Sequence, residues 1–221
     1  MKRFLFSLVA VSAVLMLLSS GTVSASLVPN HDFEVDSEPN GEPDDWFKGG
    51  STGYVSGDDS DGNGTQSVEI TGNSDWRSSA FAITPGEELT WSVDYKVASG
   101  TTGSIRADLR FFTGVDGGGG TAGGFEGEDV HSINDLSLET PDVWQTLGPF
   151  VINVPAGTLP PTIQPNFADV RLSAGLFGQG LTGTIQFDRV EVSRAVPEPG
   201  TAGLVLIAGL AASMIRRRRN S

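Results

Sequence analysis

Between Ile105 and Phe112 the chain reads IRADLRFF. Arg106, Asp108, Arg110 and Phe112 alternate there with Ile105, Ala107, Leu109 and Phe111, so in an extended strand the first four share one face. Guanidinium and carboxylate groups bond hydroxyls in pairs, and an aromatic ring stacks on the apolar face of a sugar ring, so the set is suited to a glycan. If Phe81 and Ile83 point inward, Trp76 takes the outward parity and joins it as a stacking platform. The candidate ligand site is thus Trp76, Arg106, Asp108, Arg110 and Phe112. These types also serve plain structure: Asp94 opposite Arg106 or Arg110 would form a cross-strand charge pair with no ligand. Trp46, Trp91 and Trp144 are expected in the core.

Reactive groups in catalytic spacing are scarce. Gly49-Gly50-Ser51-Thr52-Gly53 fits G-x-S-x-G, but the nucleophile elbow requires a strand before the serine and a helix after it, whereas here a loop precedes and a strand follows. The two histidines, His31 and His131, form neither HExxH nor a zinc spacing. Carboxylates are abundant, but the separation that matters for glycoside hydrolysis is set by folding and not by spacing along the chain.

The elements that must position these residues read as β-strands. Leu89, Trp91, Val93, Tyr95 and Val97 alternate with polar partners, and further strands are expected at 66–71, 79–84, 144–153, 168–176 and 183–193. The glycine-rich, acid-ended stretch 116–129 reads as a long loop. Of 221 residues, the 14 basic ones include six in the terminal segments (Lys2, Arg3, Arg216 to Arg219), and of 27 acidic ones only Glu198 lies outside 26–197. That leaves 8 basic and 26 acidic residues in between, a net charge that repels phosphate backbones and excludes nucleic acid as a partner. No cysteine is present, so no disulfide contributes.

Both ends carry transport features. Residues 1–25 combine basic Lys2 and Arg3, an apolar run from Phe4 to Leu18 and Val23-Ser24-Ala25, the pattern of a signal peptide cut after Ala25 by signal peptidase. At the other end, Val196-Pro197-Glu198-Pro199 precedes an apolar run from Thr201 to Ile215 and four arginines. Fifteen helical residues span about 23 Å, short of a hydrocarbon core of roughly 30 Å, and the arginines would stay on the cytoplasmic side. Residues 195–221 resemble the PEP-CTERM sorting signal of bacterial exported proteins. The resemblance implies a membrane-held precursor, recognition by an exosortase at Pro197, Glu198 and Pro199, and delivery to the cell surface or an exopolysaccharide matrix. A retained simple anchor is the alternative.

Within 26–194, the order of NHDFE at 30–34, Pro43, Trp46, Pro85-Gly86, Trp144, Pro155-Ala156-Gly157 and FDRVEV at 187–192 resembles a carbohydrate-binding-module jelly roll of the galactose-binding-like group. His31 departs from the glycine more usual there. The resemblance implies a structural Ca²⁺ at the positions of Glu34 and Asp188, which hard oxygen ligands could hold. Asp59, Asp61, Asn63 and Gly64 match the opening of an EF-hand loop, but Ile70 stands where its closing glutamate belongs, so this loop is expected to add one or two oxygens to the same ion.

The chain is therefore expected to be all-β: a jelly-roll sandwich between a signal peptide and a C-terminal apolar helix. Its expected function is noncatalytic carbohydrate binding at a surface or in a matrix. The alternatives are a structural matrix protein without a specific ligand and, third, a glycoside hydrolase.

Overall fold

A computed structural model describes residues 25–37, 41–60, 62, 66–115, 121–156, 164–175 and 180–194, with backbone alone at 121–123. The chain divides into a unit of Ala25–Arg194 and a second of Met1–Ser24 with Ala195–Ser221. The signal peptide, the Pro197-Glu198-Pro199 motif and the C-terminal apolar segment lie outside the described residues. Among the described residues no helix is long and apolar enough to cross a membrane.

Among the described residues eleven strands follow in order: β1 (Trp46–Gly49), β2 (Thr52–Ser56), β3 (Gln66–Thr71), β4 (Ser74–Ser78), β5 (Phe81–Ala82), β6 (Glu88–Val97), β7 (Ile105–Val115), β8 (Thr121–Ile133), β9 (Trp144–Asn153), β10 (Phe167–Ala174) and β11 (Thr184–Arg194). They form two antiparallel sheets of a jelly-roll sandwich. The six-stranded sheet runs β1-β4-β10-β7-β8 with β5 also on β10, and the five-stranded sheet runs β2-β3-β11-β6-β9. Neighbours in space are mostly distant in sequence, so the turns must stop strands cleanly. Pro85-Gly86 does so before β6: proline fixes the first turn residue, Gly86 takes φ 79°, and Glu87 N–H donates to the Thr84 carbonyl at 3.0 Å.

Alternation decides what fills the sandwich. Leu89, Trp91, Val93 and Val97 of β6 and Ile185, Phe187, Val190 and Val192 of β11 meet Ile105, Ala107, Leu109 and Phe111 of β7 and Val170 and Leu172 of β10, all buried. Each of the larger side chains contributes roughly 1.5 to 3 kcal/mol by burial. With no disulfide, this core carries the described fold.

Within the stretch 116–129, expected as a loop, residues 116–120 lie outside the described residues and the rest differs from that expectation. Its described part, 121–129, is strand: β7 extends to Val115, β8 starts at Thr121, and Gly123, Gly124 and Gly127 lie within β8. Register shifts at Phe111/Phe112 and Phe112/Gly114 absorb the mismatch that residues without side chains permit. The G-x-S-x-G segment links the end of β1 to the start of β2 with no helix, so it builds no nucleophile elbow.

Candidate functional site

The inward alternation of β7 leaves Arg106, Asp108, Arg110 and Phe112 on the outer face of the six-stranded sheet, as the spacing required. Register brings β10 alongside: Ser173, Arg171, Asp169 and Phe167 lie opposite Arg106, Asp108, Arg110 and Phe112 in turn. β4 adds Arg77 beside Arg171 and Asp75 beside Ser173, and β1 adds Phe47 beside Arg77. From β8 come Glu128 opposite Arg110, Val130 opposite Asp108 and Phe125 opposite Phe112.

These side chains form a lattice. Asp108, with no exposed surface, accepts from Arg106 Nε and from Arg171 Nε (2.8 Å) and Nη2. Arg106 Nη2 reaches across to Glu128 on the edge strand. Burial opposes the Arg106 charge, but its bonds to Asp108 and Glu128 outweigh this and hold it above the ordinary arginine range. Asp169 takes Arg110 in a two-pronged pair, Nε at 2.8 Å and Nη2 at 2.6 Å. Asp75 takes Arg77 Nε at 2.6 Å; a Cβ on Gly49 would press on this carboxylate and push it from its place beside Arg77. Four arginines and four carboxylates thus neutralise one another on one face. Beside them Phe167, Phe112 and Phe125 make a row across three strands. Phe112 and Phe125 meet edge-on at 5.6 Å between centroids, Arg110 sits 5.3 Å over Phe112, and Phe125 is 55% exposed.

Trp76 does not belong to this face, contrary to the parity argument. It is fully buried opposite Leu172, and its Nε1–H donates to the Glu69 carbonyl at 3.1 Å. Parity carries from Trp76 to Phe81 only along one uninterrupted strand, but β4 stops at Ser78 and β5 starts at Phe81. Leu172 and Ala168, four residues apart on β10, pair with Trp76 and Phe81, five apart. That extra residue turns both aromatics inward, and Ser78 Oγ accepts from Val170 N–H (3.0 Å) at the break.

Two other expectations change. Asp94 lies in the opposite sheet, where it pairs with Arg189 at 2.8 Å and accepts from Thr146 Oγ1 at 2.6 Å, and not with Arg106 or Arg110. Trp46 and Trp91 are core residues, but Trp144 is half-buried on the outer side of β9. Lys96 sits 4.8 Å over its ring, and its Nε1–H donates to Asp58 at 3.3 Å.

The residues not anticipated are Phe47, Asp75, Arg77, Phe125, Glu128, Phe167, Asp169 and Arg171. The alternation FADVRLSA in β10 carries the signal for three of them, because Ala168, Val170, Leu172 and Ala174 point inward.

Glu34 and Asp188 each bond the segment between β2 and β3 or the start of β3. Asp188 accepts from Ser60 N–H (2.7 Å) and Arg189 N–H (2.7 Å), and Glu34 from Gln66 N–H (2.9 Å). The Asp188 carboxylate owes its place to a bulge: Arg189 takes φ 36°, and pairing resumes at Val190. Asp59 Oδ2 and Ser60 Oγ are buried with no hydrogen-bond partner next to the Asp188 anchor. Oxygen donors left this way suit a hard cation, although among the described residues no three of His, Cys, Asp and Glu converge as a metal set.

No protein-family model matches the chain, and no curated protein matches it. Among solved structures, it is similar to a family 11 carbohydrate-binding module of a cellulosomal cellulase from Clostridium thermocellum, at 19% identity over 80% of this chain and 97% of that one, TM-score 0.41. A family 61 carbohydrate-binding module in complex with β-1,4-galactotriose matches at 15% identity over 77% and 99%, TM-score 0.44. Endo-1,4-β-D-xylanase 10B of Clostridium thermocellum, in complex with xylohexaose, matches at 18% identity over 79% of this chain, TM-score 0.47. The chain spans 29% of that xylanase and 21% of a bacteriophage CBA120 tailspike protein. The likeness lies in the fold, and the chemistry must come from this chain's own residues.

Proposed function

We propose that the protein is an exported, noncatalytic carbohydrate-binding protein whose ligand lies across the outer face of the six-stranded sheet. The observation that carries this is the lattice of mutually neutralised arginines and carboxylates bordered by the row Phe167, Phe112 and Phe125. A sugar has hydroxyls for the donors and acceptors and apolar C–H faces for the rings. The carboxylates here hold guanidinium groups in place, a positioning role and not an acid–base one. In this reading residues 1–25 export the chain, and Pro197, Glu198 and Pro199 present it to an exosortase that delivers it to the cell surface or matrix. Glu34, Asp188 and Asp59 would hold a Ca²⁺ tying the first loop to β11, its contribution being structural.

The closed ion pairs also favour a second reading, a structural matrix protein whose sheet face is finished without a ligand. Affinity electrophoresis of the full chain through gels containing xylan, β-1,4-galactan or mixed-linkage glucan separates the two. Retardation by at least one polymer, lost in Phe125→Ala at unchanged melting temperature, is the expected result. Migration unaffected by every polymer would favour the structural reading.

A further inference from the structure

Eight basic residues lie between 26 and 197, and four of them, Arg77, Arg106, Arg110 and Arg171, stand on the proposed glycan face. Four arginines on one face would ordinarily suit a polyanion, since guanidinium groups bind carboxylates in charge-assisted pairs. Here each meets a carboxylate of the same face. Three of those carboxylates are framework: Asp108 and Asp169 are buried, and Asp75 is nearly so. Each sits on a strand with neighbours on both sides. Glu128 differs. It sits on edge strand β8, its side chain is 29% exposed, and it binds Arg106 through Nη2 while Asp108 separately holds Nε.

Resting on the glycan-binding reading, we propose that Glu128 is a specificity-determining residue that, by occupying Arg106 Nη2, makes the face reject acidic polysaccharides. A uronate approaching Arg106 meets the Glu128 charge and finds that donor taken. Removing the Glu128 charge leaves Arg106 in place, because Asp108 still holds it, and leaves at Nη2 only a neutral acceptor, which a ligand carboxylate can displace. Glu128 therefore acts through Arg106, as a positioning residue for ligand choice.

The test is affinity electrophoresis of the full chain in gels containing polygalacturonate or one of the neutral polymers named above. The parent should be retarded by a neutral polymer and not by polygalacturonate. Glu128→Gln, which keeps shape and removes charge, should bind polygalacturonate about tenfold more tightly than the parent and lose the gain at 0.5 M salt, about where charges are screened within a few ångströms. Adding Arg106→Gln to Glu128→Gln should abolish the gain. Glu88→Gln changes the net charge equally on the exposed start of β6 in the other sheet and should change nothing, which separates local selectivity from bulk repulsion. Parent retardation by polygalacturonate as strong as by the neutral polymer would overturn the proposal, as would no gain in Glu128→Gln at an unchanged melting temperature. A parent retarded by no polymer at all would remove the glycan-binding reading itself, and this proposal with it.

Discussion

Trp76 and Asp108 show how one residue can serve the face without touching a ligand. Trp76 supports β4 from below: it fills the core opposite Leu172 while its chain neighbours Asp75 and Arg77 point outward. Trp76→Ala should cost roughly 3 to 5 kcal/mol, measured by denaturant unfolding, and weaken binding only through loss of fold. Asp108 holds two guanidinium groups from a position without solvent. Asp108→Ala would leave both without that partner, and removing one member of a buried pair costs about 3 to 5 kcal/mol. An unfolding free energy for Asp108→Ala within 1 kcal/mol of the parent, on the order of a surface substitution, would show that the lattice is ornamental to the fold. Phe125, exposed on the edge strand, should behave in the opposite way, with binding lost and stability kept.

At the scale of elements, what could be read from the sequence was the alternation, and what could not was its interruption. β6, β7 and β11 declare their inward residues because each keeps period two over most of its length, so the outward set Arg106, Asp108, Arg110 and Phe112 was legible. The two-residue break between β4 and β5 inverted Trp76, since its register is set by pairing with β10 and no local signal reports it. Phe125 and Glu128 were hidden for another reason: flanking glycines read as loop, while pairing with β7 makes the segment a strand. The acidic loop and its surroundings bear two predictions. If Ca²⁺ joins Glu34, Asp188 and Asp59, a hundredfold excess over Kd adds about 2.7 kcal/mol, so chelation should lower the melting temperature and Asp188→Ala should remove that response. An unchanged melting curve on chelation at low ambient calcium would exclude the ion. Nearby, burial and then the charges of Asp36, Glu34, Asp44 and Asp32 push the Tyr54 phenol up to about 12. A raised folded value favours the protonated native state, so this stability is complete below the unfolded value near 10 and is lost as pH rises toward 12. Tyr54→Phe should therefore flatten the loss of stability over that window in an alkaline unfolding series. Tyr95, raised by burial and its bond to Glu139, would still contribute to the slope.

For the molecule as a whole, charge and traffic belong together. The region 26–197 carries 26 acidic against 8 basic residues, yet half of the basic ones are gathered on one neutralised sheet face. Strong net charge favours solubility, and a neutral face is what the proposed binding of an uncharged polymer requires. Export is tested by mass spectrometry of the surface-exposed protein, which should begin at Ser26 and lack the arginine tail; an intact residue 221 would contradict sorting by exosortase. Glu198→Ala should leave the precursor in the membrane while the parent is released from it; a plain anchor would hold parent and variant alike. The central claim is that the outer face of the six-stranded sheet binds carbohydrate, and isothermal titration of the full chain and its Phe125→Ala variant with the polysaccharide that retards the parent tests it most directly. The account predicts saturable binding by the parent and at least a tenfold weaker Kd for the variant, in line with the roughly 1 to 3 kcal/mol that a ring stacked on a ligand contributes. Equal affinity of the two proteins, at equal melting temperatures, would contradict it.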